Sequence, residues 1–467
     1  MQVFNTLGRA LQPFQPRDNG KVGIYVCGPT VQARPHLGHG RAAVAFDVIR
    51  RYLSWRGFDV TYVQNVTDVE DKIIAAAKEE GVPAAELADQ FARAFSGAYR
   101  TLGVQPPDIE PRATEHIPEM IAMITTLIER GHAYEANGDV YFAVRTLEGY
   151  GKLSGRNIDD LVSGARIEPG EHKRDPLDFA VWKAAKPDEP CWASPWGEGR
   201  PGWHIECSAM ANKYLGLDFD IHAGGTDLIF PHHENEIAQA EGALGERFAR
   251  YWLHNGLVNL KGEKMSKSTG HVVDLIEALD LYPPQAVRLF YLRTHYRKPL
   301  DFSEEAIQDA IASLERLWSF RRRRPGPVAA SPDPEAMGRV MALMDDDFDT
   351  AGSLGVVFEA VREGNRRLDA GEDADALVAA FDQVLGLFGL LEELQSLDDL
   401  AAPIQALGEQ FGAAADAPDA VVDELIALRS LARQERDWDT ADAIRSGLAE
   451  IGITIEDVRD GARWHRR

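Results

Sequence analysis

VGIYVCGPTVQARPHLGHGRAAVAFDVIRRYLSWRGFDVTYVQNV, residues 22–66, decides how this chain folds. VGIYVC (22–27) is short, apolar and rich in β-branched residues, and reads as a strand. HLGHGRAAVAFDVIRRYLSWRG (36–57) reads as a helix stopped by Gly57. Val44, Val48, Tyr52 and Trp55 fall on one face and Arg41, Arg50 and Arg51 on others. VTYVQNV (60–66) is the next strand, and DVEDKIIAAAKEEG (68–81) the next helix, closed by Gly81. Strand, helix, strand, helix predicts a parallel sheet with right-handed crossovers, of Rossmann type. Such sheets bind ligands at the carboxyl ends of their strands, where Cys27 and the HLGHG turn lie.

The whole chain has 467 residues, 45% of them hydrophobic and 27% charged, the balance of a soluble globular protein of about three domains. No apolar run approaches the roughly 18 residues of a membrane span, and MQVFNTLGRALQPF lacks the layout of a secretory signal. Cys27, Cys191 and Cys207 are the only cysteines, which speaks against a disulfide framework and for the cytoplasm. A net charge of −24 repels polyanions on average, so a nucleic-acid partner needs local basic surface. RRRR at 321–324 and RDGARWHRR at 459–467 are the candidates; solvated helix ends are the competing reading.

Beyond the first α/β units, residues 130–200 are rich in Gly, Pro and Trp, as in PCWASPWGEGRPGW, and read as an insertion with few regular elements. Alternation resumes at DFDIHAGGTD (218–227). After about residue 272 the chain reads as helical, with Ser303 capping a helix that carries Ile307, Ile311, Leu314 and Leu317. AAPIQALGEQFGAAADAPD (401–419) reads as a linker before a small terminal unit at about 420–467. An α-helical bundle and a small C-terminal domain are therefore expected to follow the α/β part.

Two constellations carry chemistry. PHHENE (231–236) reads as a helix start, with His232 and Glu236 four apart on one face and His233 and Glu234 pointing elsewhere. That pair suits a metal if Cys27 and Cys207 complete the set, but the spacing alone favours reading both cysteines as small core residues. PHLGHG (35–40) places His36 and His39 at a helix N-terminus, which attracts phosphate, with Gly38 between them. GEKMSKSTG (262–270) reads as a glycine-flanked loop from which Lys264 and Lys267 can close over a triphosphate.

HLGH followed far downstream by KMSKS on an alternating α/β chain resembles a class I aminoacyl-tRNA synthetase. YVCGPTV, NVTDVEDKII, RPGWHIECSAM, DIHAGGTDLIFPHHENEIAQAEG, MDDDFDTAGS and RDWDTADAIRSGLAEIGITIED extend the resemblance, from end to end, to the cysteinyl-tRNA synthetases. Leu37, where isoleucine is common, and QARP before the first histidine are minor departures that remove no chemical group. The resemblance implies ATP-dependent ligation of L-cysteine to tRNA(Cys) through a cysteinyl-adenylate. It implies one zinc ion per chain on Cys27, Cys207, His232 and Glu236, which selects the substrate thiol over serine's hydroxyl. ATP arrives with magnesium. His36, His39, Lys264 and Lys267 are expected to act on the phosphates, Gly225 and Asp227 on the adenosine, and Thr67, Trp203 and His222 on the cysteine.

The same resemblance divides the chain into a catalytic domain at 1–115 and 200–270, an inserted connective-peptide region at 116–199, a stem-contact region at 271–325, a helical bundle at 326–400 and an anticodon-binding domain at 415–467. A monomer without membrane attachment is expected. The rival readings are a mycothiol-pathway cysteine ligase, which shares the zinc and both ATP motifs but uses an amino-sugar acceptor, and an inactive zinc-stabilised RNA-binding protein.

Overall fold

Four parallel strands form the central sheet: β1 (Lys21–Val26), β2 (Asp59–Gln64), β3 (Phe219–Gly225) and β4 (Ala249–Asn255), in the spatial order β4-β3-β1-β2. The chain leaves β1 for β2 on one side, then returns to β3 on the other. The order therefore reverses between β1 and β3, and a crevice opens at their carboxyl ends. The computed structural model describes residues 1–158, 172–260, 263–264, 273–392, 397–458 and 461–466. Met1–Leu391 form one compact unit and Glu392–Arg467 another. Among the described residues no helix is long and apolar enough to cross a membrane.

Helix α1 (Leu37–Trp55) joins β1 to β2. It starts at His36, whose extended backbone and accepting side chain form a cap, and Gly57 turns the chain back at φ +90°. Its buried surface is wider than the stripe read from the sequence. Phe46, Ile49 and Leu53 are enclosed beside Val44, Val48 and Tyr52, and so are Arg41 and Asp47. Arg41 is 1% exposed, and its guanidinium donates to the carbonyls of Leu257, His295, Tyr296 and Lys298. Burial pulls it down to about 10, so it stays charged at neutral pH.

Asp47 receives Arg51 and the fully buried Arg288, which also donates to the carbonyls of Leu102 and Phe388. Arg288 thereby ties the helix Pro284–Leu292 to α1 and to the end of the helix Asp375–Phe388. Arg288→Met should destabilise the protein by about 3 kcal/mol, because it leaves buried carbonyls and part of a carboxylate unpaired. Denaturant unfolding checks this; a change below about 0.5 kcal/mol would mean the network is dispensable.

Three segments depart from the sequence reading. Residues 133–201 contain a five-stranded antiparallel sheet, in the order 133–136, 139–142, 179–184, 197–201, 192–194. Its strands are short and its pairing is non-local, which weakens any periodic signal. Much of the expected linker is the helix Ala401–Phe411, whose Ile404 is buried in the terminal unit. Its alanines favour helix, Pro403 stands in the first turn, where no intrahelical N–H is lost, and Gly408 packs closely on Val421. The helix bearing PHHENE begins at Glu234, not Pro231. Phe230 is extended because a residue before proline is driven from the helical region, and a wide turn, Ile229–His233, intervenes.

Every arginine of the basic run at 321–324 has a carboxylate partner. Arg321 pairs with Asp382, Arg322 with Glu315, Arg323 with Asp369 and Arg324 with Asp375. In the terminal unit, helices Ala401–Phe411, Pro418–Glu435 and Trp438–Glu450 and the hairpin Ile453–Val458/Gly461–Arg466 enclose Ile404, Val422, Leu425, Ile444 and Leu448. Arg459 and Arg467 lie outside the described residues, as do the side chains of Arg463 and Arg466.

Candidate metal centre and nucleotide cleft

Helix α3 (Trp203–Leu215) packs on helix α4 (Glu234–Leu244), and each sends one side chain, Cys207 and Glu236, to Cys27 just past β1. Cys27 follows β1 directly, and its N–H donates to Ala223 of β3. Cys207 lies on α3, Glu236 in the first turn of α4 and His232 just before it. One ligand-capable atom from each of these residues lies within 4.8 Å of the others. The sulfurs are 3.7 Å apart, and Glu236 Oε1 is 3.3 Å from Cys27 Sγ and 3.1 Å from His232 Nε2.

Cys27, Glu236, His222 and His233 satisfy the same distance criterion. His233 thus does not simply point away, as helical spacing suggested; the wide turn before α4 brings its Nε2 to 3.9 Å from Glu236. The first set fits zinc better. It offers two soft sulfurs, one imidazole and one carboxylate. In it His222 plays the outer role usual beside a ligating carboxylate, with its Nε2 2.8 Å from Glu236 Oε2.

The electrostatics point the same way. Burial pushes both thiols above their ordinary range, Cys27 strongly; Glu236 adds to the effect at both, and Cys207 adds to it at Cys27. Three acidic groups packed together and shielded from water lack an opposite charge, which a cation would supply. Burial holds His232 well below its usual range and His204 down to about 3, so both rings are neutral, as ligation requires. Their Nδ1 atoms are 2.8 Å apart. If His232 ligates through Nε2, its Nδ1–H donates to His204.

Sequence reasoning missed His204, although it stands three residues before Cys207 on the same helix. It also missed Asn65, whose Oδ1 accepts from Gly28 N–H and whose Nδ2 donates to Thr67. Thr67 in turn donates to the buried Glu206. Nothing in the local pattern marks Asn65, because the partners of its Oδ1, Gly28 after β1 and Cys207 on α3, are distant in the sequence.

Beside the cysteines a cleft of about 800 Å³ opens over the crevice. Cys27, His36, His39, Trp203, Gly225 and Asp227 line it. His36 and His39 form a reciprocal cap on α1: His36 Nδ1 accepts from Gly38 N–H, and His39 Nδ1 accepts from His36 N–H. Their rings stack at 3.6 Å. In the neutral ring an accepting Nδ1 leaves the proton on Nε2, so each imidazole donates through Nε2 beside the helix terminus. Across the cleft, a Cβ at Gly225 would lie 2.4 Å from Asp227 Oδ1, so only glycine lets that carboxylate fold back.

Trp203 forms a wall of the cleft and stacks on His232 at 4.1 Å. Thr67 and His222 are buried and face Glu206 and Glu236. Lys264 lies on a short strand, its backbone opposite Asn259, with its side chain outside the described residues; Lys267 lies outside them altogether.

Family models match three stretches: tRNA synthetases class I (C) catalytic domain over residues 13–312, DALR domain over 339–392, and cysteinyl-tRNA ligase anticodon binding domain over 416–464. A cysteine–tRNA ligase of Desulforudis audaxviator is 50% identical, with all of both chains aligned. One from Halorhodospira halophila is 49% identical over 100% of this chain and 99% of its own. Among solved structures, Mycobacterium tuberculosis methionyl-tRNA synthetase bound by methionyl-adenylate shares the fold, with a TM-score of 0.58 at 17% identity over 79% of this chain and 90% of that one.

Proposed function

This chain belongs to the cysteinyl-tRNA synthetase family, and from that premise we propose that it ligates L-cysteine to tRNA(Cys) in the cytoplasm, using ATP. The observation that carries the reading is the buried Cys27–Cys207–His232–Glu236 cluster reaching, through Cys27, a cleft walled by the stacked His36–His39 cap. A zinc ion held by those four residues would supply soft Lewis acidity that favours a thiol over a hydroxyl.

In the first step a carboxylate oxygen of cysteine attacks the α-phosphorus of ATP. The bond to the bridging oxygen breaks, and pyrophosphate leaves with its electron pair. His36 and His39 donate through Nε2 to the charge that grows on the phosphate oxygens, and Lys267, supported by Lys264, meets the triphosphate and its magnesium. Gly225 and Asp227 hold the adenosine. In the second step a hydroxyl of the terminal ribose attacks the acyl carbon, AMP departs, and the hydroxyl proton passes to the phosphate. Trp203 shapes the cysteine pocket directly; Thr67 and His222 act from behind it by orienting Glu206 and Glu236. The division expected from the sequence is kept up to the helical bundle, and the terminal unit that reads the anticodon is taken as Glu392–Arg467.

The match at 416–464 favours an RNA acceptor over the amino sugar of the rival ligase. Charging of purified tRNA(Cys) with labelled cysteine tests the proposal. Cysteine-dependent pyrophosphate exchange without charging, but with transfer to an amino sugar, would establish the rival instead.

A further inference from the structure

Helix α2 (Asp71–Glu80) presents Lys72, Ala75, Ala76 and Glu79 to the same cleft, at the i, i+3, i+4, i+7 spacing of one helical face. Neither reactant of the first step accounts for this wall. The adenosine residues follow β3, and the remaining cleft backbone, Asn255–Val258, follows β4 at one edge of the sheet. Helix α2 follows β2, the opposite edge. The cysteine thiol belongs at Cys27, between the two. A third occupant is needed to use the α2 side.

Lys72 indicates its charge. Arg34, the other described Lys or Arg lining the cleft, is neutralised by Asp274 at 2.7 Å. No described carboxylate pairs with Lys72; its ammonium lies 5.7 Å from the centroid of Trp203. His232 covers one face of that indole at 4.1 Å, so the ammonium approaches the other. The ring thus separates Lys72 from the metal centre. A solvent-facing cation at the mouth of a reaction cleft, in a chain of net charge −24, fits an anionic ligand that arrives from outside. Ala75 and Ala76 end at Cβ and leave the helix surface open to a ribose or base.

We propose that this face of α2 seats the 3′-terminal nucleotide of the tRNA, with Lys72 paired to its phosphodiester, so that the ribose hydroxyls reach the acyl-adenylate. The assignment rests on the synthetase reading given above. Lys72 is a binding residue of the second step only.

Two variants of the full-length protein test it, Lys72→Met and Ala75→Leu. Both residues are solvent-exposed, so neither substitution disturbs a core. Two rates are measured: cysteine-dependent ATP–pyrophosphate exchange, and single-turnover transfer from preformed cysteinyl-adenylate to tRNA. Exchange should stay within about twofold, while transfer falls about tenfold or more in each variant. In Lys72→Met the log–log salt slope of tRNA binding should shrink by about 0.7, one single-strand phosphate contact, and Lys72→Arg should restore most of it. Transfer unchanged in both variants overturns the proposal. So does exchange that falls in step with transfer, which would assign Lys72 to the carboxylate of cysteine or to ATP. A wild-type chain that forms no adenylate would overturn the synthetase reading itself.

Discussion

Cys207→Ser should lower the bound metal and the cysteine-dependent exchange together, the exchange by about 10²-fold or more. The side chain is 1% exposed, its sulfur 3.7 Å from Cys27 Sγ, on the helix that also carries His204. Serine has nearly the same shape, so the fold survives. What changes is the donor: a soft, readily ionised thiol becomes a hard hydroxyl that rarely deprotonates. The geometry offers a rival set, Cys27, His222, His233 and Glu236, which does not use Cys207 at all. Metal analysis of the purified variant therefore decides between them. One metal per chain with full exchange would move the site to the histidine-rich set; loss of both would support the two-sulfur set.

A chain ending at Leu391 should make cysteinyl-adenylate at nearly the wild-type rate and charge tRNA on the order of 10²-fold more slowly. The terminal unit, Glu392–Arg467, keeps its apolar core to itself, from Ile404 and Val422 to Leu448. Cutting there removes that core whole. A cut near Pro418 would be worse: a Cβ on Gly408 would lie 2.6 Å from Val421, a measure of how closely the helix Ala401–Phe411 packs on the one that follows. Every residue proposed for the first step lies within Met1–Leu391, while the anticodon-domain match lies at 416–464. Salt sensitivity of charging should weaken along with the rate, since phosphate contacts are lost. Exchange and charging measured side by side provide the check. Undiminished charging would remove this unit from tRNA recognition.

Local physics was legible where a signal completes itself within one element. The strand–helix–strand run of residues 22–66 announces the parallel sheet, and Gly57 and Gly81 end their helices in left-handed turns. HLGH marks a helix start because both of its histidines are spent on the first turn's own N–H groups. Most of the 130–200 sheet, and the helix at 401–411, are not legible in this way. There, Gly, Pro and Ala carry local meanings that cross-strand pairing and core burial override.

By itself, then, the sequence determined the alternating α/β architecture, the helix caps and the identity of the residues able to hold a metal or meet phosphate. Only the tertiary structure decided which of them meet. Cys27 and Glu236 stand 209 positions apart, and the sheet order β3-β1 brings them to 3.3 Å. It also decided that Arg41 and Arg288 serve buried carbonyls, that Arg321, Arg323 and Arg324 serve acids on neighbouring helices, and that His204 stands behind His232. Periodicity and capping act over a few residues along the chain, whereas desolvation and charge pairing depend on neighbours that only folding supplies.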